Sequence, residues 1–124
     1  MIAADTSSLV AYFAGERVPD TSSIESALAD GSLCISPVAM AELLSDPKSR
    51  AVLEPIVAGW PLLEITPGYW LRASRTRALL LGKGLTAKLP DTFIAQSSID
   101  HDVRLIARDT DFRNFAKHCG LKLA

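Results

Sequence analysis

Short apolar runs alternate along the chain with longer stretches in which apolar positions recur every three or four residues. An unbroken apolar run bounded by turn residues predicts a buried strand, and a 3.6-residue period predicts a helix, so this rhythm predicts an α/β domain. Ile2 to Ala4 predicts a strand and Ser8 to Ala14 a short helix. Ser22 to Ala29 predicts a second helix ended near Gly31, and Leu33 to Ser36 a second strand. Ser36-Pro37 then reads as a helix start, with serine as cap and proline in the first turn, for a helix reaching about Ser45. Pro47 punctuates the chain before a helix over about Ser49 to Ala58, and Leu62 to Ile65 is a candidate strand. Pro67 to Leu81 predicts a longer helix closed by Gly82 and Gly84. Pro90-Asp91 opens a helix over Thr92 to Ile99, Val103 to Ala107 predicts a strand, Asp111 or its neighbour caps a helix to about His118, and Leu121 to Leu123 is a last candidate strand.

The runs at Ile2 and Val103 are apolar at successive positions, hence on both faces, as in parallel strands covered by helices above and below. In such sheets ligands bind beyond the carboxyl ends of the strands. Asp5 follows one such end and Asp109 another; Glu42 and Asp91 sit on helices that begin at the same edge, and Asp111 is two residues beyond Asp109. Two unit charges about 4 Å apart repel by roughly 4 kcal/mol at an effective dielectric near 20, so carboxylates gathered there need a cation, protons or open solvent. A divalent-metal site satisfies that need.

Each acid also has a plainer reading. Asp91 and Asp111 suit helix caps, and Asp5 could cap the helix near Ser8. Glu42 lies among Val38, Ala39, Met40, Ala41, Leu43 and Leu44, which leaves a solvated glutamate and a site acid both open. The conjunction argues for a site, because independent caps and surface acids would not converge on one sheet edge.

Length and composition narrow the class. With 124 residues, 48% hydrophobic and 22% charged, the chain fits one compact domain with a real core, expected to span residues 1–124. No apolar run approaches the roughly 20 residues that span a bilayer, and Met1-Ile2-Ala3-Ala4-Asp5 lacks the marks of a signal peptide, so a cytoplasmic protein is expected. Cys34 and Cys119 have neither the number nor the spacing of a disulfide framework or a thiolate zinc site, and are expected as free thiols. The net charge of -1 excludes gross attraction to polyanions while allowing a local basic face.

Four segments, in this order, resemble the PIN domain, and more closely the VapC-type toxin nucleases of bacterial toxin–antitoxin pairs. They are Asp5-Thr6-Ser7 after the first strand, Ser36-Pro37 followed by Ala41-Glu42-Leu43, Pro90-Asp91-Thr92-Phe93-Ile94-Ala95, and Ala107-Arg108-Asp109-Thr110-Asp111-Phe112. The resemblance runs the length of the chain. Where the family usually has a small residue before its third acid, Pro90 stands here, which alters the helix start rather than the chemistry. The resemblance implies a three-layer α/β/α domain with a central, mainly parallel twisted sheet. It also implies Mg²⁺ or Mn²⁺, endoribonuclease activity, an antitoxin partner of the VapB kind and a homodimer.

The residues support that chemistry on their own terms. Oxygen ligands without a histidine site favour Mg²⁺ or Mn²⁺ over zinc, since His101 and His118 belong to different elements. With Asp5, Asp91 and Asp109 as metal ligands, a metal-activated water would attack an RNA phosphodiester, and Glu42 would orient that water or hold a second ion. Thr6 and Ser7 carry hydroxyls suited to a ligating carboxylate or a phosphate, Ser7 having a cap reading as well; Asp111 is an outer ligand or a cap. Between Ile65 and Pro90 lie Arg72, Arg75, Arg77, Lys83 and Lys88 with no acid, which reads as an RNA-binding rim or as a solvated helix face. Tyr69 and Trp70 could stack on unpaired bases, or pack in the core or a dimer interface. The crowded apolar positions Leu9, Val10, Tyr12 and Phe13 suit an antitoxin segment, a second subunit or a helix buried on most sides.

Two other readings stand against the nuclease. One keeps the fold as a binding or dimerisation module without turnover, against which the four retained acids count. The other is an aspartyl phosphatase, whose Asp-x-Asp start would need a carboxylate where Ser7 stands.

Overall fold

A computed structural model describes all of residues 1–124. Three strands, β1 (Ile2–Ala4), β2 (Leu33–Cys34) and β3 (Arg104–Ile106), form an all-parallel sheet in the order β2-β1-β3. Seven helices surround it: α1 (Thr6–Phe13), α2 (Pro19–Ala29), α3 (Pro37–Leu43), α4 (Arg50–Val57), α5 (Tyr69–Gly82), α6 (Leu89–Asp100) and α7 (Phe112–Cys119). Successive strand residues point to opposite faces, and in each strand successive residues are buried: Ala3 and Ala4, Leu33 and Cys34, Leu105 and Ile106. Both faces are therefore covered, which is the three-layer α/β/α arrangement.

The central strand carries alanines where its neighbours carry larger residues. Ala3 pairs with Cys34 on one side and Leu105 on the other, so helices can approach the middle of the sheet closely. The core continues through Leu9, Ile24, Ile35, Leu80, Ile94, Phe112 and Phe115.

Two expected strands are reduced to single bridges. Leu62 pairs with Ile35 and Leu123 with Leu105, both in parallel, instead of strands over Leu62 to Ile65 and Leu121 to Leu123. Each bridge is held by two backbone bonds: Ile35 N–H to the Pro61 carbonyl and Leu63 N–H to Ile35, then Leu105 N–H to Lys122 and Ala124 N–H to Leu105. Pro61 can offer no N–H to prolong the first ladder. Cys34 is buried and Cys119 partly buried, and both are free thiols. No helix is long and apolar enough to cross a membrane.

The arrangement of α6 matters most for the site. Tyr69, buried at the start of α5, donates its hydroxyl to the Phe93 carbonyl at 2.6 Å and accepts from Ser97 Oγ at 3.2 Å. One turn further along α5, Arg72 forks onto Asp100 at the end of α6, with Nη2 to Oδ2 at 2.7 Å and Nε to Oδ1 at 3.1 Å. Gln96 joins Asp100 to Thr76. Arg72 also donates to the Pro67 carbonyl and to Thr66 Oγ1, and Gly68 is the residue that lets it fold back. Gly68 has φ +82, and a Cβ there would lie 2.7 Å from Arg72 Nη1.

Candidate acidic active site

Asp5 ends the central strand. Its N–H continues the ladder by donating to the Ile106 carbonyl at 2.9 Å, which fixes it beside the end of β3. Its side chain then caps α1, Oδ1 accepting from Ser8 N–H at 2.9 Å, while Oδ2 accepts from Ser7 Oγ at 3.1 Å. The cap reading of Asp5 holds, in a place that also leaves its carboxylate at the carboxyl edge of the sheet, and the helix starts at Thr6, two residues earlier than its apolar pattern suggests.

Glu42 reaches the same edge from α3. Ser36 caps that helix by accepting from Ala39 N–H at 3.2 Å, with Pro37 at the first position, as its sequence predicts. Glu42 is exposed, and its Oε1 accepts from Thr6 Oγ1 at 2.7 Å. The residues beside Asp5 thus divide their hydroxyls, Ser7 to Asp5 and Thr6 to Glu42.

Asp91 is placed by a helix start that differs from expectation. The helix begins at Leu89, with Lys88 as cap and Pro90 in the first turn, so Asp91 is a first-turn residue and not a cap. Proline fits there because the first N–H groups of a helix have no intrahelical acceptor. Asp109 follows β3 by three residues and closes a turn, its Oδ1 accepting from Asp111 N–H at 2.9 Å. Asp111 occupies the cap position of α7 but makes no capping bond with its side chain.

Carboxylate oxygens of Asp91, Asp109 and Asp111 all lie within 4.8 Å of one another. Asp5, Thr6, Ser7, Glu42, Lys88, Asp91 and Asp109 line a cavity of about 470 Å³, with Val10, Pro90 and Ile94 completing its wall. Asp111 stands outside that lining, at the edge of the cluster. All five expected acids are thus gathered at one end of the sheet, with Asp111 nearer to the potential ligand set than Asp5 in its oxygen spacing.

The electrostatics carry the strain of this arrangement. Burial pushes the Asp5 carboxyl up, against the lowering effect of its bonds from Ser8 and Ser7, and the nearby Asp109 raises it further. Asp91 is pushed up to about 6, chiefly by burial and then by Asp109, with smaller contributions from Asp5 and Glu42 and partial relief from Lys88. An all-oxygen donor set whose own charges oppose one another fits a hard divalent cation. It does not fit a soft metal, since no cysteine or histidine lines the cavity.

The basic residues divide into two groups. Arg72 is engaged with Asp100, Thr66 and Pro67, and Arg77 donates to the Ala87 carbonyl at 2.7 Å, so both guanidinium groups serve the α5 framework. Arg75, Lys83 and Lys88 are exposed, and Lys88 faces the cavity. Tyr69 is core, whereas Trp70 is 57% exposed and packs edge-on against Tyr69 and Phe93. Of the apolar α1 positions, Leu9 is core, Val10 is exposed at the cavity and Phe13 stacks on Trp60. His101 bonds the Glu64 carbonyl, away from the acids. Asp20 and Arg108 escape a reading along the sequence because they meet only in the fold, across 88 residues.

A parallel α/β sheet that delivers acids from four separate segments to its carboxyl edge defines a class of acidic-site domain. The profile of the PIN domain matches residues 2–118, and the chain belongs to that family. Among solved structures it is similar to a chain of a toxin-antitoxin complex from Klebsiella pneumoniae, with TM-score 0.74 and 22% identity over 98% of this chain and 95% of that one. It is similar also to a chain of VapBC2 from Rickettsia felis bound to a DNA fragment from their promoter, with TM-score 0.74 and 20% identity over 100% and 98%. At these identities the likeness is one of fold. No curated protein matches it in sequence.

Proposed function

We propose that residues 1–124 act as one nuclease domain, a metal-dependent endoribonuclease toxin restrained by an antitoxin. The observation that carries this reading is the convergence of Asp91, Asp109 and Asp111 oxygens within 4.8 Å beside Asp5 and Glu42. Family membership supports a nuclease, and the two similar folds come from a toxin-antitoxin complex and from VapBC2, which supports an antitoxin as partner.

Asp91 and Asp109, with Asp5 and Asp111 beside them, would hold Mg²⁺ or Mn²⁺. When bound, the ion supplies charge neutralisation of a phosphodiester and acidifies a coordinated water. The chain's own residues do the rest. Thr6 donates to one oxygen of Glu42, which leaves the other free to take a proton from the attacking water. Ser7 donates to Asp5, which favours its charged form and orients it. Lys88 at the cavity, with the exposed Arg75 and Lys83 of the same basic stretch, would receive the RNA backbone, while Arg72 and Arg77 contribute as framework. The exposed Trp70, Leu71, Leu79 and Leu81 of α5 and Val52 and Ile56 of α4 supply apolar surface for a homodimer.

The test is cleavage of total cellular RNA by the protein freed of any partner, in Mg²⁺ or Mn²⁺ against chelator, and against Asp91→Asn. Discrete products that need metal and vanish in the variant support the reading. Intact RNA despite metal binding would replace it with a binding module that keeps the fold.

A further inference from the structure

Four acids and one base line the cavity at the sheet edge, Asp5, Glu42, Asp91 and Asp109 against Lys88. A divalent ion offsets two of the four negative charges, so an entering phosphodiester still meets net repulsion from the rest. Lys88 is the cation in place to oppose it. The acids do not engage it: the ion pairs of the molecule take up Arg50, Arg72, Arg108 and Lys122, and none reaches Lys88.

Lysine is a poor residue for the position Lys88 occupies. It is the cap of α6, at φ -62 and ψ 144, and its side chain makes no capping bond. Serine, threonine, asparagine or aspartate would satisfy a free N–H there, and the positive end of the helix dipole disfavours an ammonium. A residue that breaks its local preferences marks a place where function overrides them. The backbone around this lysine is nevertheless pinned at successive carbonyls. That of Thr86 accepts from Asn114 Nδ2 of α7 at 3.5 Å, and that of Ala87 from Arg77 Nε of α5 at 2.7 Å. That of Lys88 accepts from Thr92 N–H at 2.9 Å and from Thr92 Oγ1 at 2.8 Å. The Thr92 bonds are the ordinary closing of a helix start; the other two reach in from different helices. Ala87 and Thr92 are buried, so the exposed Lys88 side chain springs from a fixed root. Arg77 directs a charged donor at the neutral carbonyl next to Lys88 and so fixes where the chain turns into α6.

We propose that the Lys88 ammonium contacts the scissile phosphate and stabilises the charge on its non-bridging oxygens in the transition state, and that Arg77 is a positioning residue that aims it. The claim rests on the nuclease reading of the same cavity. Water attacks phosphorus and its proton passes to Glu42; the P–O bond to the leaving oxygen breaks, and that oxygen takes a proton from solvent. A fixed ammonium beside the non-bridging oxygens favours this transition state over the bound substrate, so Lys88 contributes more to rate than to RNA affinity. Arg75 and Lys83 differ from it in that neither lines the cavity.

The test is single-turnover cleavage in Mn²⁺ of a labelled single-stranded RNA that wild type cuts, with RNA affinity measured separately in an Asp91→Asn background. Lys88→Met should lower the rate at saturating RNA about 100-fold while weakening RNA binding no more than about 5-fold. Metal affinity gives a readout apart from activity. By loss of the free-ion electron paramagnetic resonance signal, Lys88→Met should bind Mn²⁺ about 3- to 10-fold more tightly, because an ammonium in the cavity repels the ion. Arg77→Met should lower the saturating rate about 10-fold, yet add nothing in the Lys88→Met background, since it acts through that side chain. A Lys88→Met protein that cuts at the wild-type saturating rate, or binds Mn²⁺ as wild type does, overturns the proposal and leaves Lys88 as one contact of the rim. Losses that multiply in the Arg77→Met, Lys88→Met pair overturn the positioning role. Asn114→Ala, which frees the neighbouring Thr86 carbonyl, replaces Arg77→Met if the latter does not fold, with the same expectations. A wild type that cuts no RNA overturns the nuclease reading and this claim with it, which separates the two failures.

Discussion

Replacing Asp91 by asparagine should stabilise the metal-free protein while abolishing cleavage. The Asp91 carboxyl gains no hydrogen bond from the protein; burial and its acidic neighbours raise it to about 6, above its ordinary 3.8. At face value that rise corresponds to about 3 kcal/mol against the charged, folded form at neutral pH. Asp91 is only half-buried, and solvent screening reduces the figure to about 1 kcal/mol. The sign follows from linkage. An acid whose folded value is raised binds its proton more tightly in the folded state, so stability falls as pH rises from 3.8 to 6, and the whole penalty is present above 6. Asparagine keeps the shape and removes the charge. In chelator at pH 7.5 the variant should melt about 3 to 6 °C above wild type, for a domain of this size. The gain should halve near about pH 5 and fade towards 3.8, where wild type is itself protonated. Adding Mn²⁺ should reverse the order, since an ion at about 100 times its dissociation constant contributes about 2.7 kcal/mol to wild type and little to the variant. The assay is a set of thermal melts across pH, with and without metal. A variant that melts below wild type in chelator at pH 7.5, or above it by an equal margin at every pH, refutes the reasoning.

Four further outcomes are expected. Asp5→Asn should keep the cap on α1 and Asp5→Ala should lose about 1 kcal/mol in urea unfolding, while both abolish RNA cleavage; equal stability of the two would show the cap to be idle. Glu42→Gln should leave stability within about 0.5 kcal/mol, because the residue is exposed, and lower the single-turnover cleavage rate about 100-fold. Lys88→Ala should reduce the slope of log affinity for a single-stranded RNA against log salt by about 0.7, one phosphate contact, with a non-cleaving background used for the titration. Tyr69→Phe should cost about 1 to 3 kcal/mol by urea unfolding, since it removes the donor to Phe93 and strands the buried Ser97 hydroxyl.

What could be read from the sequence followed from local chemistry. The apolar run of Ile2 to Ala4 and the Ser36-Pro37 start lie where expected, because burial on both faces and capping are properties of a few adjacent residues. The start of α6 lies at Leu89 rather than at Pro90-Asp91 because its cap, Lys88, makes no side-chain bond and so leaves no mark in the sequence, whereas Pro90 marks the first turn conspicuously. The segments at Leu62 and Leu121 are apolar enough to be strands, yet the length of a ladder depends on what lies opposite, which no local pattern carries. The acids were recognisable because they follow strand ends, but their spacing was not. Arg72 offered the same basic side chain as Arg75, and only the fold, which brings Asp100 beside it, separates framework from surface.

The acids also explain where the fold invests its polar bonds. Asp5, Asp91 and Asp109 work against one another, so the segments that carry them must be held by something other than the site. Asp5 is held by the β1 ladder and its cap, and Asp109 by its turn with Asp111 and by the neighbouring Arg108. Asp91 has no such local support, and α6 is instead fastened from behind by Tyr69 at one end and by Arg72, Asp100, Gln96 and Thr76 at the other. A helix anchored along its far face can present a repelled carboxylate on its near face without moving away. The partly buried polar network between α5 and α6 is therefore the mechanical counterpart of the acidic cluster. Weakening that network should relax Asp91 away from Asp109 before it unfolds the domain, because the core beneath the sheet does not pass through those polar side chains.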